Sequence, residues 1–189
     1  MIIGVSGKIS SGKGDIAEFL KSRGFIAMSL SDEIREEARR LNIELTRDNL
    51  RELGNRMRET EGNNVLAKRI LKRIDPKKNY VLESIRNPAE VLELKSNPQF
   101  TLIAVECPAR LRFERAAERN REKDPLKFED FMKNDILEEG KDENGNPRKD
   151  SNQKIGECMK MAHFTILNDC DIGTLSERIK EVLELIDHS

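Results

Sequence analysis

The 189-residue chain has no apolar run near the ~20 residues a membrane-spanning helix needs, so no membrane-embedded role is expected. It has no excess of one charge. Lys and Arg number 34 against 35 Asp and Glu, a net −1 that gives no basic field for general nucleic-acid binding. Cysteine is scarce. Cys107, Cys158 and Cys170 are odd in number, widely spaced and form no C-x-x-C, which suits unpaired, buried thiols in a reducing compartment. The two histidines, His163 and His188, lack metal-ligand or triad company and read as structural or solvated. The chain opens directly on a strand-like run, leaving no room for a leader, so a cytoplasmic location is expected. No internal repeat or heptad run is present.

What the chain does have is an even split, 37% hydrophobic and 37% charged, which implies one core wrapped by many solvated helix faces. Its length suits a single domain, 1–189. Five short segments read as strands: 2–6, 25–29, 80–84, 101–106 and 164–168. Most are apolar nearly throughout, as strands buried on both faces of a parallel sheet are. Helical periodicity fills the intervals. The expected class is therefore α/β, a three-layer fold on a five-stranded parallel sheet. Between the second and third strands, about fifty residues carry helical pattern (32–41, 46–60, 64–74). One crossover needs less, so a helical insertion over 31–75 is expected. Residues 109–136 read as a further helical stretch, and the polar segment 139–151 as an exposed, mobile loop.

The first strand runs into Gly7-Lys8-Ile9-Ser10-Ser11-Gly12-Lys13-Gly14, and a helical pattern starts at Asp15. Strand, glycine-bounded loop with a lysine, and helix form the context of a phosphate-cradling P-loop. Glycines let N–H groups turn inward around an anion, and the helix N-terminus adds its positive end. Lys13 brings a mobile charge to the β- and γ-phosphates. Residues 7–15 are thus the expected ATP-phosphate site. Gly14 stands where a Ser or Thr commonly holds magnesium. Asp15 reads as an acid favoured in the first helical turn, with a place in the shell of a magnesium ion as the competing reading.

In an open parallel sheet, ligands sit outside the carboxyl ends of the strands. The second strand leads into Ser29-Leu30-Ser31-Asp32-Glu33-Ile34-Arg35 and the third into Glu83-Ser84-Ile85-Arg86-Asn87. The fourth ends in Glu106-Cys107-Pro108, the fifth in Asn168-Asp169-Cys170-Asp171-Ile172-Gly173. In two of these endings an arginine follows an acid by three residues, and its fork suits phosphate oxygens. A carboxylate at Glu83 suits magnesium held through water. Arg115 and Arg119, spaced i, i+4, share one helix face.

Taken in order, GKISSGKG at Gly7, SLSDEIR at Ser29, ESIRN at Glu83, RFERAAER at Arg112 and NDCDIG at Asn168 give the chain its resemblance. Over nearly its whole length it resembles the P-loop nucleotide kinases of the adenylate kinase and dephospho-coenzyme A kinase group, in an archaeal-type branch. The resemblance implies a P-loop NTPase fold, with residues 31–75 as an acceptor-binding insertion and 109–160 as a lid over ATP. Adenylate kinases also carry glycine after the loop lysine, where this chain has Gly14; where it has Asp15 they carry threonine. The resemblance further implies that Ser31, Asp32, Arg35 and Arg86 seat the acceptor, and that Glu83 tethers Mg2+ through water. Lys13, Arg115 and Arg119 would act on the migrating phosphoryl group, with Arg121 beside them. Asn168 and Gly173 would belong to the loop that holds adenine. A lid arginine expected near residues 131–135 is missing, and Lys133 or Arg148 is the substitute on offer. Asn168 to Asp171 also mimics a GTPase guanine motif, but Asp169 replaces its lysine and no Asp-x-x-Gly switch accompanies it.

Three functions remain open at this point. One is transfer of the ATP γ-phosphate, with Mg2+, to a nucleoside monophosphate-type acceptor. Another is phosphorylation of a sugar hydroxyl, as dephospho-coenzyme A kinases do. The last is a nucleotide-binding regulator or slow ATPase. A hydroxyl acceptor needs a base, and the base position of those kinases falls on Ser29 here, with Asp32 nearby. An ionised phosphate needs none, which favours the first. The expected partners are ATP and a small phosphorylated acceptor, with no nucleic acid and no membrane.

Overall fold

The apolar runs lie side by side in the middle of the molecule as five parallel strands. The computed structural model describes residues 1–119, 127–142, 145, 146, 148 and 153–188, apart from the side chains of Arg47 and Arg119. β1 (Ile2–Gly7) is central, between β3 (Tyr80–Glu83) and β4 (Phe100–Glu106). β2 (Ile26–Ser29) and β5 (Phe164–Leu167) form the edges, in the order β2-β3-β1-β4-β5. Each pairing is parallel, and each strand lies within one residue of its expected bounds.

Alternation along the strands makes two cores. Ile3, Val5, Val81, Ile103 and Val105 face α1 (Lys13–Ser22) and α9 (Ile172–Asp187), where Ile16, Leu20, Leu175 and Ile179 meet them. Ile2, Leu82, Phe100 and Leu102 face the opposite layer. That layer holds α2 (Leu30–Arg40), α3 (Arg47–Glu61), α4 (Val65–Leu71), α5 (Pro88–Lys95) and α8 (Ile155–Lys160). Leu30, Leu53, Leu66, Val91 and Cys158 are its contribution. The result is the three-layer α/β P-loop fold. Gly4 is required here, because a Cβ on it would stand 2.7 Å from the Phe100 ring.

The helices between β2 and β3 do not form a separate body. α2, α3 and α4 bury their apolar faces in the same core as β3 and α5. The helical stretch expected over 109–136 holds two helices among the described residues, α6 (Ala109–Arg119) and α7 (Phe128–Glu138). Lys127 is extended (φ −119°, ψ 141°), so α7 starts afresh. The break lets α7 pack beside α6, with Phe113 edge-on to Phe128 and Phe131 at 5.5 and 5.7 Å. Of the polar segment 139–151, the described part forms a tight turn in which Asp142 N–H donates to Asn146 O and Asn146 N–H to Asp142 Oδ1. Cys158 is buried, and burial pushes its thiol up to about 12. Cys107 and Cys170 are only half-buried, because they sit in the loops that follow β4 and β5 rather than in the core. His163 is structural: its Nδ1 accepts the N–H of Leu102 at 2.9 Å. No helix among the described residues is long and apolar enough to cross a membrane.

Candidate active site

From β1 the chain crosses to β2 on one side, and β4 and β5 are added on the other. A crevice therefore opens at the carboxyl ends of the central strands. It is a cleft of about 1360 Å³. One wall is the 7–14 loop and the start of α1. Across from it stand Ser31 and Arg35 of α2, Arg86 after β3, and the face of α3 that carries Arg51, Asn55 and Arg58.

The loop has the backbone of an anion cradle. Ser10 (φ 56°) and Gly12 (φ 92°) both adopt left-handed conformations, which turn successive N–H groups toward one side. Gly12 has no alternative. A Cβ there would lie 1.9 Å from Asn168 Nδ2, in a backbone conformation that strains any L residue. Lys13 is folded back on the loop, its Nζ donating to Gly7 O (2.6 Å) and Lys8 O (2.7 Å). Burial lowers its pKa to about 8, opposed by Glu138 and helped by Arg86. Gly14 faces open space, so no steric demand explains the glycine there. Asp15 is exposed in the first turn of α1 and lines the cleft.

Glu83 ends β3 and borders the cleft between Lys13 and Arg86. Burial raises its pKa, against the pull of Lys13. Glu138, at the end of α7, approaches Lys13 from the other side. Mg2+ wants hard oxygen ligands and keeps several waters. Gly14 supplies no hydroxyl, and Asp15, Glu83 and Glu138 bring carboxylate oxygens to the cleft, the donor type that a magnesium ion requires.

On the wall opposite the loop, where the acceptor residues were expected, Arg35 pairs with Asp32 at 2.8 Å, and Arg86 Nη1 donates to Ser31 Oγ at 3.3 Å. Ser31, Arg35 and Arg86 line the cleft, while Asp32 is exposed and outside its lining. The Arg86 loop is held from below. Buried Glu90 accepts the N–H groups of Arg86 (3.0 Å) and Asn87 (3.1 Å), and its other oxygen accepts Nη2 of buried Arg58 at 2.9 Å. Ser29 is committed to structure. Its Oγ accepts Ser31 N–H as the N-cap of α2 and donates to Ser84 Oγ at 2.9 Å. Ser84 itself has φ 64°, a strained position directly after β3.

Among residues expected at the nucleotide end, Arg115 lines the cleft. Its guanidinium donates to Asn168 O and Oδ1, both at 3.2 Å, and to Cys170 O at 3.1 Å. Asn168 is buried and donates to Ser11 O at 2.9 Å. The Gly173 N–H goes to Asp171 Oδ1, which caps α9, and Gly173 is outside the cleft lining. Arg119 is in α6 but its side chain, like all of Arg121, lies outside the described residues. Of the two substitutes for the missing lid arginine, Arg148 lines the cleft, whereas Lys133 is exposed and pairs with Asp130. Sequence reasoning missed the face of α3, Glu138 and Arg112. The buried Arg112 bonds Asp135 of α7 and Ile9 O of the loop, and only its place in the RFERAAER run hinted at a role.

Comparison with known proteins agrees with this geometry. Residues 3–143 match a family described as an AAA domain. The chain is similar to a UPF0200 protein of Pyrococcus horikoshii, 32% identical over 196 residues that cover 98% of this chain and 97% of the relative. Among solved structures it is similar in fold to the shikimate kinase of Acinetobacter baumannii in complex with shikimate. There the TM-score is 0.57 at 16% identity, over 98% of this chain and 92% of the other. A gluconokinase of Sinorhizobium meliloti gives a TM-score of 0.53 at 12% identity, over 98% and 93% of the two chains. The chain thus belongs to the UPF0200 family, and carries its loop, cleft and sheet on a P-loop kinase-like fold.

Proposed function

We propose that the protein transfers the γ-phosphate of ATP, with Mg2+, to a small acceptor of the nucleoside monophosphate type, using one of the acceptor's phosphate oxygens as nucleophile. The observation that carries this reading is a cleft with a lysine-bearing anion cradle on one wall and Ser31, Arg35 and Arg86 on the other. ATP phosphates take the loop amides and Lys13, which leaves Gly7 O and Lys8 O to do so. Arg35 and Arg86 bring the acceptor phosphate in line, and neutralise the charge that would otherwise repel it from ATP. Glu83 would hold Mg2+ through water, and the ion would supply charge neutralisation to the ATP phosphates. The α6–α7 region serves as the lid, and Arg119 and Arg148 are the groups assigned to the charge of the migrating phosphoryl group. Arg115 joins them only by giving up its bonds to residues 168–170.

A phosphate acceptor is favoured over a hydroxyl because the end of β2 offers no carboxylate base. Ser29 is locked as a helix cap, and Asp32, outside the cleft lining, is paired with Arg35. The test is ADP release with a panel of nucleoside monophosphates, hydroxyl substrates and no acceptor. Stimulation by a monophosphate supports the proposal. Stimulation by a hydroxyl substrate alone, or an acceptor-independent rate, overturns it.

A further inference from the structure

We propose that α6 is a brace for the nucleotide loop: Arg112, locked to Asp135 of α7, and Arg115, acting through Asn168, hold the loop carbonyls outward and so set nucleotide affinity. The proposal rests on reading residues 7–14 as the ATP-phosphate site. An anion cradle needs its N–H groups pointing in, so its carbonyls must point out and find donors. Ile9 O accepts from Arg112 Nη1 at 3.1 Å. Ser11 O accepts from Asn168 Nδ2, and Arg115 grips Asn168 at both oxygens. The two arginines are three residues apart on one helix face, and each serves a different part of the loop.

Lys13 is a temporary clamp, because the bonds it makes to Gly7 O and Lys8 O are lost when it turns to phosphate. The bonds to Ile9 O and Ser11 O use no group that phosphate needs, so they persist in both states. Arg112 itself cannot drift. Asp135 takes it in a bidentate pair, its Nε donates to Cys107 O, and its guanidinium lies 5.3 Å from the centre of the Phe131 ring. Arg112, Asp135 and Phe131 are all buried. Glu139, the residue that caps the end of α7, reaches the loop directly: its carboxylate pairs with Lys8 at 3.3 Å while accepting Gly156 N–H. Arg112 and Asp135 are therefore positioning residues, and a shift of α7 is felt at the phosphate cradle.

Arg112→Lys tests this most cleanly, since an ammonium keeps a charge for Asp135 but cannot also reach Ile9 O and Cys107 O. Calorimetric titration of the full chain with ATP and ADP should show Kd raised roughly tenfold. The KM for ATP should follow, with the KM for the acceptor unchanged. Asp135→Asn, which keeps the shape and weakens the grip, should move Kd in the same direction. Wild-type affinity in a cooperatively melting Arg112→Lys protein overturns the brace, as does an equal rise in both KM values. Should both variants lose cooperative melting, the pair is an element of the fold and the brace is likewise overturned. A wild-type protein that binds no ATP refutes the phosphate-site reading itself, which separates the two failures.

Discussion

Raising the pH should make ATP binding a proton-consuming event. Burial holds the Lys13 ammonium down to about 8, while the loop has only carbonyl oxygens to offer it. Against triphosphate, the same ammonium meets up to four negative charges and its pKa returns toward the usual lysine range. The free protein has released about 0.1 of a proton from this site at pH 7, about 0.5 at pH 8 and about 0.9 at pH 9, and binding must restore it. Apparent affinity therefore falls about tenfold between pH 7 and pH 9. Titration calorimetry at each pH, in two buffers of different ionisation enthalpy, reads the proton uptake directly. Lys13→Met should abolish it. Glu138→Gln, which removes a carboxylate that supports the charged lysine, should move the midpoint lower. Folding stability follows the same linkage. The unfolded lysine keeps its proton up to 10.5, so this group adds stability as pH rises from about 8 to 10.5. Zero proton uptake at pH 8.5 with pH-independent affinity would refute the placement of Lys13 against phosphate.

Three further outcomes follow from the geometry. Gly12→Ala puts a Cβ on Asn168 Nδ2 in a left-handed backbone, and should abolish ATP binding by calorimetry while the sheet still melts cooperatively. Arg86→Ala should raise the acceptor KM by at least about tenfold and leave the ATP Kd near its wild-type value, because its guanidinium bonds Ser31 on the wall proposed for the acceptor. Glu90→Ala strands the buried Arg58 and frees two loop N–H groups, at a cost of about 3–5 kcal/mol. In a chain of this length that is a fall in Tm of roughly 10 °C by scanning calorimetry.

The parts of this protein that sequence made legible are contiguous in the chain. Ile2 to Gly14 reads as strand and loop because burial on both faces and the glycine spacing are local signatures. The ends of β2 and β3 are legible for the same reason, since topology alone carries Ser31, Arg35, Glu83 and Arg86 to one rim. The pairs that organise the site are not local. Arg112 meets Asp135 across 23 residues, and Arg58 meets Glu90 across 32. In a chain with so many charged residues, each of the four reads as one more solvated side chain until the helices dock. α5 carries a local signature too: Asn87, Pro88 and Glu90 spell a capping box with proline at the first turn. α8, six residues long, carries too little periodicity to announce itself. Ser29 shows the converse. The absence of a carboxylate was visible in sequence, but the reason for a serine, a helix cap that also bonds Ser84, was not.

Phosphorus NMR of the protein with ATP, Mg2+ and a panel of nucleoside monophosphates reads what the cleft transfers and to which atom. Phosphoryl transfer onto a phosphate consumes the acceptor's monoester resonance and yields two diphosphates, ADP and the acceptor's own, as the ATP γ signal decays, and Lys13→Ala should abolish the change. ADP formed together with a new uncoupled monoester resonance, or with inorganic phosphate while the acceptor signal stays intact, would contradict the account.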